Sequence, residues 1–226
     1  MQLAEIVAQA IAQAIGPSQP ERAIDVNHEF VKAMVNKGYR EIERAACWRF
    51  SEAEHEANAV VGQREFSLPD DVNLILGVRN VTLRTSLEYV DERQGQPDWG
   101  VPGQPLTGRV QAYSYWQGQM RLWPVPNKAD LLNVQYYKIW PQLAADDDEP
   151  IFPETWHSLL VDYATASLIL RMPAVDGRYL SESEARPFME SFWRDLERMK
   201  ASRLTETIGD EVVSHDFEAL LAEGHW

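Results

Sequence analysis

The first residues of the chain place apolar groups at helical steps. Leu3, Ile6, Val7, Ala10, Ile11 and Ala14 recur every three or four positions, which predicts an amphipathic helix over 2–15. The run Gly16-Pro17-Ser18-Gln19-Pro20 stops it. A second helix is expected from about Glu21 to Trp48. Its apolar positions are Phe30, Val31, Met34, Val35, Ile42 and Ala45, with Glu41, Glu43 and Arg44 on the wet face. The period then changes. Gly62 to Pro69 reads as turn, strand and stop. After Asp70-Asp71, Val72 to Leu83 reads as a strand run broken at Gly77 and Asn80. Tyr113–Trp116, Gln117-Gly118 and Gln119–Trp123 have the form of a tight hairpin, with glycine supplying the positive φ of the turn. Leu132, Val134 and Tyr136 alternate with Asn133, Gln135 and Tyr137, so 131–139 reads as a half-buried strand. Four to six strands are expected between about 59 and 140.

Helical spacing returns after Pro153-Glu154, a helix start with proline and an acid in the first turn. Trp156, Leu159, Leu160, Tyr163, Ser167 and Leu170 mark its apolar stripe down to Arg171. Pro173 and Gly177 break it, and a fourth helix runs from about Ser181 to Arg203 with Phe188, Phe192, Leu196 and Met199 on one face. Helices at both ends and strands between predict an α+β fold. The expected domains are a bundle of about four helices over 1–56 and 151–204, a β-rich insertion over 57–150, and an extended C-terminal arm over 205–226.

Two segments depart from regular patterning. Residues 94–108 are so rich in Gly and Pro that a long loop is expected, and loops of this length are commonly functional. Residues 205–226 hold six Asp or Glu and no Lys or Arg, with Val212, Val213, Phe217, Leu220, Leu221 and Trp226 spaced among them. That composition suits either a frayed terminus or an arm that orders on a partner.

Composition narrows the function classes. The chain has 226 residues, 45% hydrophobic and 25% charged, enough to bury a core. No apolar run approaches the roughly 18 residues of a membrane span, and the N-terminal helix lacks the basic start of a signal sequence. The single cysteine, Cys47, allows no internal disulfide. A net charge of −14 argues against gripping nucleic acid, which takes clustered Lys and Arg; a negative surface near DNA would repel it, which suits a channel wall better than a binder.

Catalytic chemistry is not evident. There is no G-x-S-x-G, H-E-x-x-H, Walker loop or C-x-x-C, and the glycines of 94–108 do not have dinucleotide spacing. Asp146-Asp147-Asp148-Glu149 has carboxylates that suit calcium or magnesium. It lacks the pattern of a calcium loop and reads as a solvated linker. His28, His55, His157, His215 and His225 do not pair at metal-ligand spacing. Trp99, Trp116, Trp123 and Trp140 sit in or beside the β region, where an aromatic platform could bind a sugar; with no polar constellation beside them, core and interface roles account for them better. No cofactor, metal or catalytic residue is expected.

One ordered set of motifs goes further. Gly62-Gln63-Arg64-Glu65-Phe66-Ser67-Leu68-Pro69-Asp70-Asp71 precedes an apolar strand. Met120-Arg121-Leu122-Trp123-Pro124-Val125-Pro126 follows, then a strand ending Tyr136-Tyr137-Lys138. An acidic loop comes next, and Phe152-Pro153-Glu154-Thr155-Trp156-His157 opens a helix. Upstream, a helix carries Asn36 and ends in Trp48. Over roughly 20–200 this order resembles the head-to-tail adaptor (connector) proteins of tailed bacteriophages, including the podovirus-like ones under the portal. The resemblance implies a helical bundle with a β insertion and a twelve-subunit ring of this chain, built from heterologous contacts, on the portal of a DNA-filled head. It also implies a C-terminal arm on the portal, a β region facing tail or nozzle proteins, and a place in the virion neck after assembly in the host cytoplasm. The arm would use Val212, Val213, Phe217, Leu220, Leu221 and Trp226. Trp99, Asp146, Asp147 and Asp148 would belong to tail-facing or inter-subunit loops. DNA would pass without sequence-specific binding, and no membrane is involved. A head-completion or tail-tube subunit and a carbohydrate-binding β module are the alternatives.

Overall fold

The structure is a computed structural model that describes residues 1–15, 27–91, 100–101, 104–116, 118–171 and 182–207. It is α+β, as the patterning predicts. The chain forms two compact units: Met1–Ala46 with Leu143–Trp226, and the intervening Cys47–Gln142.

The first unit holds four helices: α1 (Leu3–Ile15), α2 (His28–Ala45), α3 (Ser158–Arg171) and α4 (Glu182–Thr207). Helix α1 buries Leu3, Ile6, Val7, Ala10 and Ile11, the predicted stripe. Helix α2 starts at Asn27, whose side-chain oxygen accepts from the amides of Glu29 and Phe30, so two of the helix's unsatisfied donors are capped. It ends at Ala45 rather than Trp48, and its buried face includes Gly38 and Tyr39.

Helix α3 departs most from the expected stripe. Leu170 is 53% exposed, while Val161, Ala164, Thr165, Ala166, Leu168 and Ile169 are buried together with Leu159, Leu160 and Tyr163. The reason is position: α1, α2 and α4 all pack against α3, so it buries nearly its whole circumference instead of one face. Thr165, fully buried, satisfies its hydroxyl 3.4 Å from the Ala10 carbonyl and 3.3 Å from the Gln13 side-chain oxygen, both on α1. Tyr163 meets Phe192 of α4 edge-on, with centroids 5.1 Å apart. Each fully buried Leu of α3 contributes about 2 kcal/mol of transfer free energy.

The second unit holds twelve short strands among the described residues, more than the four to six expected. They are β1 (Glu52–Asn58), β2 (Glu65–Ser67), β3 (Val72–Asn80), β4 (Thr85–Ser86), β5 (Glu88–Tyr89), β6 (Gly100–Val101), β7 (Gln104–Pro105), β8 (Thr107–Gly108), β9 (Ala112–Trp116), β10 (Gln119–Trp123), β11 (Val125–Pro126) and β12 (Leu131–Lys138). One four-stranded sheet runs β1-β12-β3-β4, the other β2-β10-β9-β5. The predicted hairpin is β9–β10, with Gly118 at φ +79°. A single apolar cluster draws Val78, Leu132, Val134 and Tyr136 from the first sheet and Tyr113, Met120 and Leu122 from the second.

Two differences have local causes. The Gly/Pro-rich stretch expected as a loop carries two-residue ladders, β6–β7 and β8–β11, too short for proline to break a continuous run of ladder hydrogen bonds. Strand β1 lies between the helix expected to end at Trp48 and the strands expected from about 59. Its Glu-Ala-Glu-His-Glu-Ala-Asn alternation is a strand period, hidden because exposed glutamates rather than β-branched residues carry it.

Gly38 of α2 is required by a close approach. A Cβ there would lie 2.8 and 2.9 Å from two ring carbons of Tyr163. Gly38→Ala gains up to about 1 kcal/mol of helix propensity but forces the ring aside, at about 1–3 kcal/mol. The variant is expected to unfold at lower temperature by circular dichroism, and adding Tyr163→Leu is expected to recover part of the loss.

Candidate functional site

The acidic segment Asp146–Glu149 folds back on the helical unit. The carbonyls of Asp146 and Asp148 accept from the amides of Ala4 (3.0 Å) and Leu3 (2.8 Å), two donors at the start of α1. Acids at that end also meet the positive pole of the helix. The Asp148 carboxylate accepts from the amides of Ala144 (2.6 Å) and Ala145 (2.8 Å), and these bonds hold its carboxyl below the usual carboxylate range. Asp146 pairs with Lys32 at 2.8 Å, and Lys32, also 3.3 Å from Glu29, is raised above its ordinary value by those carboxylates. Asp147 and Glu149 remain exposed.

Side chains of α2 clamp the two ends of this segment. The Asn36 side chain donates to the Leu143 carbonyl (2.8 Å) and accepts from the Leu143 amide (2.9 Å), a backbone-like pair between residues 107 apart. The Tyr39 hydroxyl accepts from the Ile151 amide at 3.0 Å, and burial pushes that hydroxyl up to about 12. Phe152 packs on Tyr39 and edge-on against His157. His157 lies 2.9 Å through Nε2 from the Phe152 carbonyl, which can only accept. Nε2 therefore carries the proton, and Nδ1 is buried with no hydrogen-bond partner. Burial favours the neutral ring.

Among the described residues no group of three His, Cys, Asp or Glu side chains is placed to hold a metal ion. None of the described helices is long and apolar enough to cross a membrane. Of the tryptophans named from sequence, Trp140 is buried with its indole N–H on Ser51 (2.6 Å), Trp123 is buried beneath the Arg64 guanidinium, and Trp116 is 40% exposed. Trp99 and the arm positions Val212, Val213, Phe217, Leu220, Leu221 and Trp226 lie outside the described residues.

The sequence reading did not single out β1 of the other unit. Glu52, Glu54 and Glu56 stand exposed on one face, alternating with half-buried Ala53, His55 and Ala57. Across the ladder, Asn133 and Gln135 of β12 donate to the Glu54 carboxylate at 2.9 and 3.0 Å and hold it below the usual range. The signal available in the sequence was the Glu-x-Glu-x-Glu spacing.

The described residues form a two-unit α+β scaffold with a charged loop on one unit and an open strand edge on the other, and a fold of this kind does not by itself fix a function. Comparison with family models is specific: residues 1–209 match the SU10 adaptor protein family, and the chain belongs to that family of phage head-to-tail adaptors. It is a structural component of a phage virion. No curated protein matches the chain.

Two outcomes test the clamp. Asn36→Ala removes both bonds to Leu143 and is expected to cost about 1–3 kcal/mol in denaturant unfolding. His157 titrates at a lower pH folded than the 6.5 of the unfolded chain, first through burial, with the Met1 ammonium adding and the Phe152 bond, Glu154 and Glu149 opposing. The unfolded state then binds more protons below pH 6.5, so stability falls with pH from there until the folded ring protonates. His157→Gln is expected to flatten that part of the stability–pH curve; equal slopes would show that other groups set it.

Proposed function

We propose that this chain is the adaptor subunit that assembles with copies of itself into a ring beneath the portal, extends the DNA channel and docks the tail. It acts mechanically and catalyses no reaction. The observation that carries the reading is the family match, which spans both units and not one module alone. A ring closes through heterologous contacts, one face of a subunit on a different face of the next, and the twelve-subunit ring implied by the sequence resemblance is part of the proposal. The portal contact is assigned to Val212, Val213, Phe217, Leu220, Leu221 and Trp226. This assignment rests on their composition, since they lie beyond the matched span.

Charge supports the channel part. Of the net −14, the tail over 205–226 carries six and Asp146–Glu149 carries four. Negative charge so concentrated keeps DNA from adhering where it passes. The Asp146 carboxylate is engaged by Lys32 and the Asp148 carboxylate by the Ala144 and Ala145 amides, so the exposed Asp147 and Glu149 form the outward part of the proposed loop surface.

Light scattering after size exclusion tests the reading. Full-length chain mixed with the portal protein encoded nearby is expected to elute as a ring-sized complex, and a chain ending at Leu204 is expected not to. If neither form joins the portal, the adaptor assignment to that position is wrong. If both do, the arm assignment is wrong. Asp147→Lys with Glu149→Lys is expected to leave folding intact and to slow DNA ejection; unchanged ejection would remove this loop from the channel.

A further inference from the structure

The first sheet of the β unit ends in β1, a seven-residue strand paired on one side only, with β12. No strand lies on its other side among the described residues, so its outer row of backbone donors and acceptors is a template for another strand. The opposite edge of the sheet is the two-residue β4. The long free edge also carries a charge pattern. Glu52, Glu54 and Glu56 project from one face at every second residue, so a strand laid beside β1 would place its own alternate side chains next to them.

That pattern decides the occupant. Two β1 edges paired antiparallel about His55 would set Glu54 against Glu56, and like charges directly opposite disfavour the pair. The chain's own tail, with six acids and no Lys or Arg over 205–226, is repelled for the same reason. Asn133 and Gln135 of β12, on the paired side of the strand, donate to Glu54 and fix its carboxylate on that face of the sheet, while Glu52 and Glu56 stand exposed on either side of it. We infer that the free edge of β1 is a docking site for an extended, Lys- or Arg-alternating segment of a different polypeptide, added as a fifth strand to this sheet. Main-chain bonds supply the binding and the glutamates select the sign of the partner.

The test uses the full-length chain and a fluorescently labelled peptide of four Thr-Lys repeats. A second peptide has the same sequence and charge but N-methyl groups on alternate amides, which block strand pairing without altering the protein. The first peptide is expected to bind saturably at about 50 mM salt and to weaken about tenfold or more as salt is raised tenfold. Hydrogen exchange is expected to slow at amides within 52–58. The N-methylated peptide, and the unmodified peptide against an E52K/E54K/E56K chain, are each expected to bind at least about tenfold more weakly. Equal binding of the two peptides would show adsorption by charge alone and overturn the proposal. So would protection away from β1, or no saturable binding at low salt. The inference does not depend on the ring: a chain that joins the portal yet ignores the peptide sinks this proposal only.

Discussion

Helix α3 has almost no face to give to water, and the helical unit is arranged around that constraint. A helix buried on nearly every side needs three neighbours, and here two come from the N-terminal segment and one from the C-terminal segment. The helices on either side of the β unit in sequence are therefore obliged to meet, although Cys47–Gln142 separates them along the chain. The small residues Gly38, Ala164 and Ala166 let the backbones come close, and the Tyr163 ring fills the space Gly38 leaves. The apolar contacts supply the driving force. Thr165 shows the polar side of the same rule, since a buried hydroxyl on such a helix must find its partner on a neighbouring one.

The segment that returns the chain from the β unit to α3 is held by polar bonds. Asn36 imitates a strand partner for Leu143, Tyr39 receives Ile151, and the carbonyls of Asp146 and Asp148 take up the first amides of α1. Each of these is a group that would otherwise be unsatisfied at a helix end or in a loop. The acidic run is thus divided in two. Asp146 and Asp148 are engaged in the fold, and Asp147 and Glu149 are left for the surface. Four of the chain's 35 Asp and Glu lie in this loop and six in the tail over 205–226.

In the β unit, the glutamates of β1 serve the free protein as well as any partner. An uncharged seven-residue edge would invite pairing with further copies, and three carboxylates on one face oppose that. Asn133 and Gln135 keep the central one solvated by side-chain amides rather than by a cation.

Much of the architecture was legible along the chain because it is written in local periods. The stripe of α1, the face of α4 with Phe192, Leu196 and Met199, the β9–β10 hairpin and the alternation of β12 each depend on residues within a few positions of one another. The order of the Gly62–Asp71, Met120–Pro126 and Phe152–His157 motifs likewise sufficed to point to the phage adaptors. Tertiary structure alone decided the rest. That α3 is central, with Leu170 outside and Ala166 inside, depends on three helices distant in sequence. That Asn36 belongs to Leu143, and His157 to the Phe152 carbonyl with a buried bare nitrogen, follows from how the segment docks. That β1 is an edge depends on which strands pair, and pairing over long separations is set by closure of the whole unit rather than by any local pattern.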